Sequence, residues 1–152
     1  MYRALVTFVA LLLITAVAWP GPPKPVESEW LVTESGTFFI DGDTRGRDGA
    51  LCFHMEFRVR KPVTETLYVT VDFENPEDKD SPLFSEFEIA PGTTIFEAKS
   101  EMIHAIRNRS RYRVKVWIYA DVKRKELLGT HEQLVQFDMP RELLERFGIR
   151  LL

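Results

Sequence analysis

A single cysteine, Cys52, among 152 residues excludes an intramolecular disulfide framework, because one thiol has no partner within the chain. Glycine (8) and proline (9) are too few for a collagen repeat or a low-complexity chain. Only three histidines are present; His54, His104 and His131 fall on separate predicted elements, and no H-x-x-x-H, C-x-x-C or second thiolate completes a zinc set. No Gly-x-Ser-x-Gly elbow offers a serine nucleophile. A formal net charge of -3 gives no global excess of positive charge, so no nucleic-acid partner is expected.

What is present is enough for a core. With 45% hydrophobic and 28% charged residues, a chain of this length buries roughly two-thirds of its unfolded surface and folds as one domain without metal or disulfide help.

The first segment reads as a targeting device. Met1-Tyr2-Arg3 gives a short positive start, and Ala4 to Trp19 is an uncharged apolar run ending at Pro20. Ala16-Val17-Ala18 has the small-x-small form of a cleavage site. The run is long for a cleaved signal and short for a full span, so residues 1–18 are either a signal peptide or a signal-anchor helix. Both place the following chain outside the cytoplasm, in a periplasmic, extracellular or membrane-anchored location. Four prolines within residues 20–25 favour an extended spacer, assigned to residues 19–28, and residues 29–152 form the folded domain. No cysteine directly follows the small residues that end the apolar run, so a lipid anchor is not expected.

The domain alternates with period two. Leu51, Phe53, Met55, Phe57 and Val59 fall on one face of an extended chain, and Cys52, His54, Glu56, Arg58 and Arg60 on the other, the signature of a half-buried strand. Leu67, Val69, Val71 and Phe73 repeat the pattern, and Tyr112, Val114, Val116, Ile118 and Ala120 give a third strand. Weaker strands are predicted at 29–33, 38–40, 83–89, 94–99 and 127–137. A helical turn is expected over Ser100–Ile106, from the spacing of Met102, Ile103 and Ile106. A short C-terminal helix is expected within Met139–Gly148, with Pro140 at its start and Gly148 at its exit. These elements predict an all-β fold, an antiparallel β-sandwich of seven to eight strands with a short C-terminal helix, preceded by the N-terminal apolar helix. Cys52 is expected as a packed thiol within its strand.

The run Ile106-Arg107-Asn108-Arg109-Ser110-Arg111-Tyr112-Arg113-Val114-Lys115-Val116 resembles the approach to strand F of immunoglobulin-like and fibronectin type III domains. There an aliphatic residue precedes a corner tyrosine by six positions and alternating apolar residues follow. Ile106 and Tyr112 match in type and spacing. The residue usually found between them, Pro or Gly, is absent, and so is the cysteine pair of immunoglobulin domains. The resemblance implies an immunoglobulin-like architecture and no particular activity.

Two loops contain clustered acids. Asp41-Gly42-Asp43-Thr44-Arg45-Gly46-Arg47-Asp48-Gly49 starts like a calcium loop, making Asp41, Asp43 and Asp48 weak metal candidates, but Arg45 and Cys52 occupy positions where that loop needs oxygen ligands. An Asp/Gly turn accounts for the same residues. Glu74 to Asp80 reads as a solvated acidic loop before a cation site.

The most distinctive pattern is basic. Arg107, Arg109, Arg111, Arg113 and Lys115 occupy alternate positions, with Trp117 and Tyr119 continuing the row; in an extended chain all seven project from one side, the basic part spanning about 26 Å. Guanidinium forks suit carboxylate and phosphate, and the aromatics suit sugar rings or a lipid interface. The competing reading is a solvated strand face paired with cross-strand acids such as Glu132 and Asp138, with Trp117 and Tyr119 packed beneath the N-terminal strand or the C-terminal helix. The expectation is an exported, non-catalytic binding or structural module that contacts a protein, an anionic envelope polymer or lipid headgroups, membrane-proximal if its anchor is retained. It needs no cofactor. The alternative is a metal-dependent or hydrolytic enzyme on the same sandwich, drawing on His54, His131 and the Asp41–Asp48 loop. Asn108-Arg109-Ser110 is in addition an N-x-S sequon.

Overall fold

The computed structural model describes residues 28–41 and 49–152. The apolar segment 1–18, most of the spacer 19–28, and Asp43 and Asp48 of the acidic turn lie outside those residues, as does the side chain of Asp41. Among the described residues no helix is long and apolar enough to cross a membrane.

The chain forms β1 (Leu31–Asp41), β2 (Ala50–Val59), β3 (Leu67–Phe73), β4 (Leu83–Ile89), β5 (Ile95–Lys99), β6 (Ala105–Ile106), β7 (Ser110–Tyr119), β8 (Leu127–Phe137), α1 (Arg141–Arg146) and β9 (Arg150–Leu151). Two antiparallel sheets face each other, one ordered β1-β2-β5 and the other β4-β3-β7-β8; β6 and β9 form a small parallel pair at one end. The fold is an all-β sandwich with one short helix.

Alternation decides which side of each strand is dry. Along β3, Leu67, Val69, Val71 and Phe73 are buried, while Tyr68, Thr70 and Asp72 are half-exposed. The two layers meet through aromatic rings. Phe38 and Phe53 of the first sheet lie 4.4 Å apart, Phe38 sits 4.8 Å from Phe137, and Phe53 sits 5.3 Å from Phe73. Each ring is almost fully buried, contributing about 2–3 kcal/mol by transfer from water.

The predicted strands at 29–33 and 38–40 are one strand, β1. Glu34 is the extra residue of a bulge between Thr33 and Ser35, and that insertion interrupts the period-two pattern. The expected helical turn over Ser100–Ile106 does not form. Ile103 instead exchanges two backbone hydrogen bonds of 2.8 Å with Leu51, and Ala105–Ile106 pair with β9. Their partners lie 45 to 52 residues away in the chain, where a local spacing rule has no reach. Cys52 is half-exposed, on the outer face of β2 opposite Phe39.

The C-terminal helix forms as expected, and a Schellman motif ends it: Gly148 (φ 73°) donates to the Glu145 carbonyl at 3.1 Å and Ile149 to the Leu144 carbonyl at 2.9 Å. This reversal turns the chain into β9 and drives Leu144 and Ile149 into the core.

The corner before β7 closes through Tyr112. The Arg107 amide donates to its hydroxyl at 2.8 Å, and the hydroxyl donates to the Arg107 carbonyl at 3.1 Å. Burial pushes the phenol upward, partly offset by these bonds and by the Arg107 charge. Ile106 is fully buried beneath the turn.

Candidate functional site

The basic row is shorter than the sequence pattern implies. Arg107 precedes the turn and Arg109 lies within it at φ 55°, a left-handed conformation that ends the alternation. Arg111, Arg113, Lys115, Trp117 and Tyr119 do lie on β7, at the positions alternating with buried Tyr112, Val114, Val116 and Ile118. They share the outer face of the four-stranded sheet.

Acids flank this row. Lys115 stands opposite Asp72 on β3 and Glu132 on β8. The Glu132 carboxylate accepts contacts from Arg113 at 3.3 Å and from Lys115 at 3.9 Å. Glu74 takes the Arg113 backbone N–H at 3.0 Å, and Arg111 donates to Gln136 at 3.3 Å. The expected cross-strand pairing therefore holds for Glu132, whereas Asp138 lies beyond the end of β8. Asp72 is held above the ordinary carboxylate range by burial, partly countered by the Lys115 charge, and its Oδ1 is buried without a hydrogen-bond partner.

Three hollows follow β7 in line. One of about 110 Å³ is lined by Glu74, Lys79, Arg107 and Arg111 among others. The next, about 300 Å³, shares Glu74 and Lys79 and adds Asp72, Pro82, Arg113 and Lys115. The third, about 210 Å³, shares Lys115 and reaches Trp117, Thr130 and Glu132. Lys79 is the contributor that the sequence pattern did not single out. It lies in the 74–80 loop, read there as acidic and solvated; its sign, opposite to its neighbours, was the available signal.

That loop is a turn held by its own side chains. The Glu77 amide donates to Asn75 Oδ1 at 2.9 Å and the Asp80 amide to Asp78 Oδ1 at 3.0 Å. Glu77 also meets Arg150 at 3.1 Å.

The histidines do not converge. His54 projects from the outer face of the first sheet, where Nε2 lies 3.0 Å from Glu97 and holds that carboxyl below its ordinary range. His131 points inward from β8, its Nε2 2.7 Å from Thr33 Oγ1 and its ring edge-on to Phe57. His104 is exposed. Among the described residues no group of three or more His, Cys, Asp or Glu could hold a metal ion. The Asn108 amide of the sequon is engaged: it donates to the Met139 carbonyl at 2.9 Å and accepts the Met139 N–H at 3.2 Å.

No protein-family model and no curated protein matches the chain. Among solved structures it is similar to a calcium-binding mutant of Bacteroides uniformis β-glucuronidase 2 (TM-score 0.40, 17% identity) and to a Bacteroides uniformis β-glucuronidase (TM-score 0.39, 16% identity). It is also similar to β-glucuronidase 2 covalently bound to cyclophellitol-6-carboxylate aziridine (TM-score 0.39, 15% identity). Each alignment covers 71% of this chain and 13% of the other.

Proposed function

We propose that the chain is an exported, non-catalytic binding module with an immunoglobulin-like, fibronectin type III-like sandwich, and that it contacts an anionic partner through the outer face of β7. The tyrosine corner at Arg107–Tyr112 and the pairing of a three-stranded with a four-stranded antiparallel sheet support the architecture. The N-terminal apolar run followed by a proline-rich stretch supports export.

One observation carries the binding reading: Arg111, Arg113, Lys115, Trp117 and Tyr119 share one face, and the first four line a run of hollows that meet at Lys79 and Lys115. Asp72, Glu74 and Glu132 match Arg111, Arg113 and Lys115 in number, and Lys79 and Arg107 supply the excess of cations lining the hollows. Exposed ion pairs such as Arg113–Glu132 are worth only about 0–1 kcal/mol, so an incoming anion exchanges partners at little cost.

The test is a titration of the full chain with anionic vesicles and acidic polysaccharides from about 50 to about 500 mM salt, a range over which the screening length shortens severalfold. A variant with Arg111, Arg113 and Lys115 changed to Ser is run beside it. Binding that weakens with salt and is lost in the variant, with an unchanged melt, is the expected outcome. Equal polysaccharide binding by both forms, or no salt-dependent binding by either, overturns it.

A further inference from the structure

Resting on that reading, we infer that the occupant of the β7 groove is a carboxylated polysaccharide strand lying along β7 beneath Lys79. The shape comes first. The three hollows succeed one another from Arg107 to Trp117, so the groove follows β7 from Ser110 to Trp117, a length of about 26 Å. A line of this kind fits a linear chain better than a planar layer of headgroups.

Charge spacing comes second. Arg111, Arg113 and Lys115 recur every second residue, about 6.6 Å apart. Asp72, Glu74 and Glu132 are interleaved around them. A polymer with a dense run of phosphates would press its own charge against those three carboxylates, and like-charge juxtaposition is what rejects a wrong partner. A sugar chain with one carboxylate per residue places its anions on the guanidinium and ammonium groups. Its hydroxyls then donate to the exposed oxygens of the interleaved acids, of which Glu132 already accepts from Arg113 on this face.

Surface character comes third. Beyond the cations the row continues into Trp117 and Tyr119, with Tyr68 opposite Tyr119 on β3. All three are half-exposed. Flat rings with a polar edge suit the apolar face and hydroxyl rim of a sugar ring, whereas a phosphate chain uses only their polar edge and leaves the ring faces uncovered.

The experiment titrates the full chain at one low salt concentration with alginate, neutral dextran, inorganic polyphosphate and phosphatidylserine vesicles. Alginate is expected to bind most tightly, with dextran at least about tenfold weaker. Lys79→Ala and Trp117→Ala are each expected to weaken alginate binding about five- to tenfold with the melt unchanged. Polyphosphate or vesicles binding as tightly as alginate, in each case lost on Arg113→Ser so that residues 1–18 are not the cause, would overturn the inference and leave the anionic-face reading standing. So would alginate binding that ignores both substitutions yet still requires Arg113. Failure of all three anionic probes overturns the inference and the face reading together.

Discussion

The Tyr112 hydroxyl serves two backbone groups of one residue, the amide and the carbonyl of Arg107. Tyr112→Phe removes both bonds while keeping the ring against Phe38 and Phe53. The expected loss is about 1–2 kcal/mol, seen in urea unfolding as a lower midpoint with an unchanged slope. This corner was legible in the sequence because Ile106 and Tyr112 are separated by a short, fixed stretch of chain. The conformation of Arg109 inside it was not. A run of alternating basic residues reads as extended whether or not one of them turns left-handed, and only the closure of the corner shows that Arg109 does. Arg107 and Arg109 therefore leave the row, and Arg111 becomes its first strand residue.

At the level of elements, the strands with strict alternation, β2, β3 and β7, were readable, and the weaker predictions at 83–89 and 127–137 coincide with β4 and β8. Those assembled by distant pairing were not. β6 and β9 have two residues each and exist only because α1 reverses the chain back to Ala105. Gly49 is the point where this C-terminal unit is fastened to the sandwich. Its amide donates to the Phe147 carbonyl at 2.8 Å, and a Cβ placed there would lie 2.4 Å from that same backbone oxygen. Backbone on both sides leaves no flexible side chain to yield, so Gly49→Ala is expected to cost about 1–3 kcal/mol. Hydrogen exchange should quicken first over residues 141–151, ahead of β3 and β7; uniform acceleration across both sheets would contradict this fastening.

At the scale of the whole molecule, the two sheets are joined along one side by contacts between β1 and β8. Trp30 Nε1 donates to the Leu128 carbonyl at 3.1 Å, and Thr33 meets His131 at 2.7 Å. His131 is 6% exposed with Nδ1 buried and unpartnered. Burial, and then the Arg60 charge, hold its imidazole below the ordinary value of 6.5. The unfolded chain takes up a proton near pH 6.5 that the folded one refuses. Stability from this residue is therefore present above that pH and falls as pH drops toward the lower folded value. Urea unfolding between about pH 7.5 and 5 should show the loss, and His131→Phe should flatten it relative to the parent chain. The face of β7 was legible from alternation alone. The groove was not, because Asp72, Glu74 and Lys79 reach it through the pairing of β3 with β7 and through a loop whose placement no local pattern encodes.

The long β1–β2 ladder also has a mechanical consequence. Its register runs from Leu31 beside Val59 to Asp41 beside Ala50. The C-terminal unit, fastened at Gly49, therefore sits at the opposite end of β2 from the point where the chain enters β1. A pull between the two ends of the domain loads this ladder lengthwise, so its hydrogen bonds resist together in shear instead of opening one after another like a zip. A module strung between an anchoring point and a bound polymer would be held by the geometry of its first two strands.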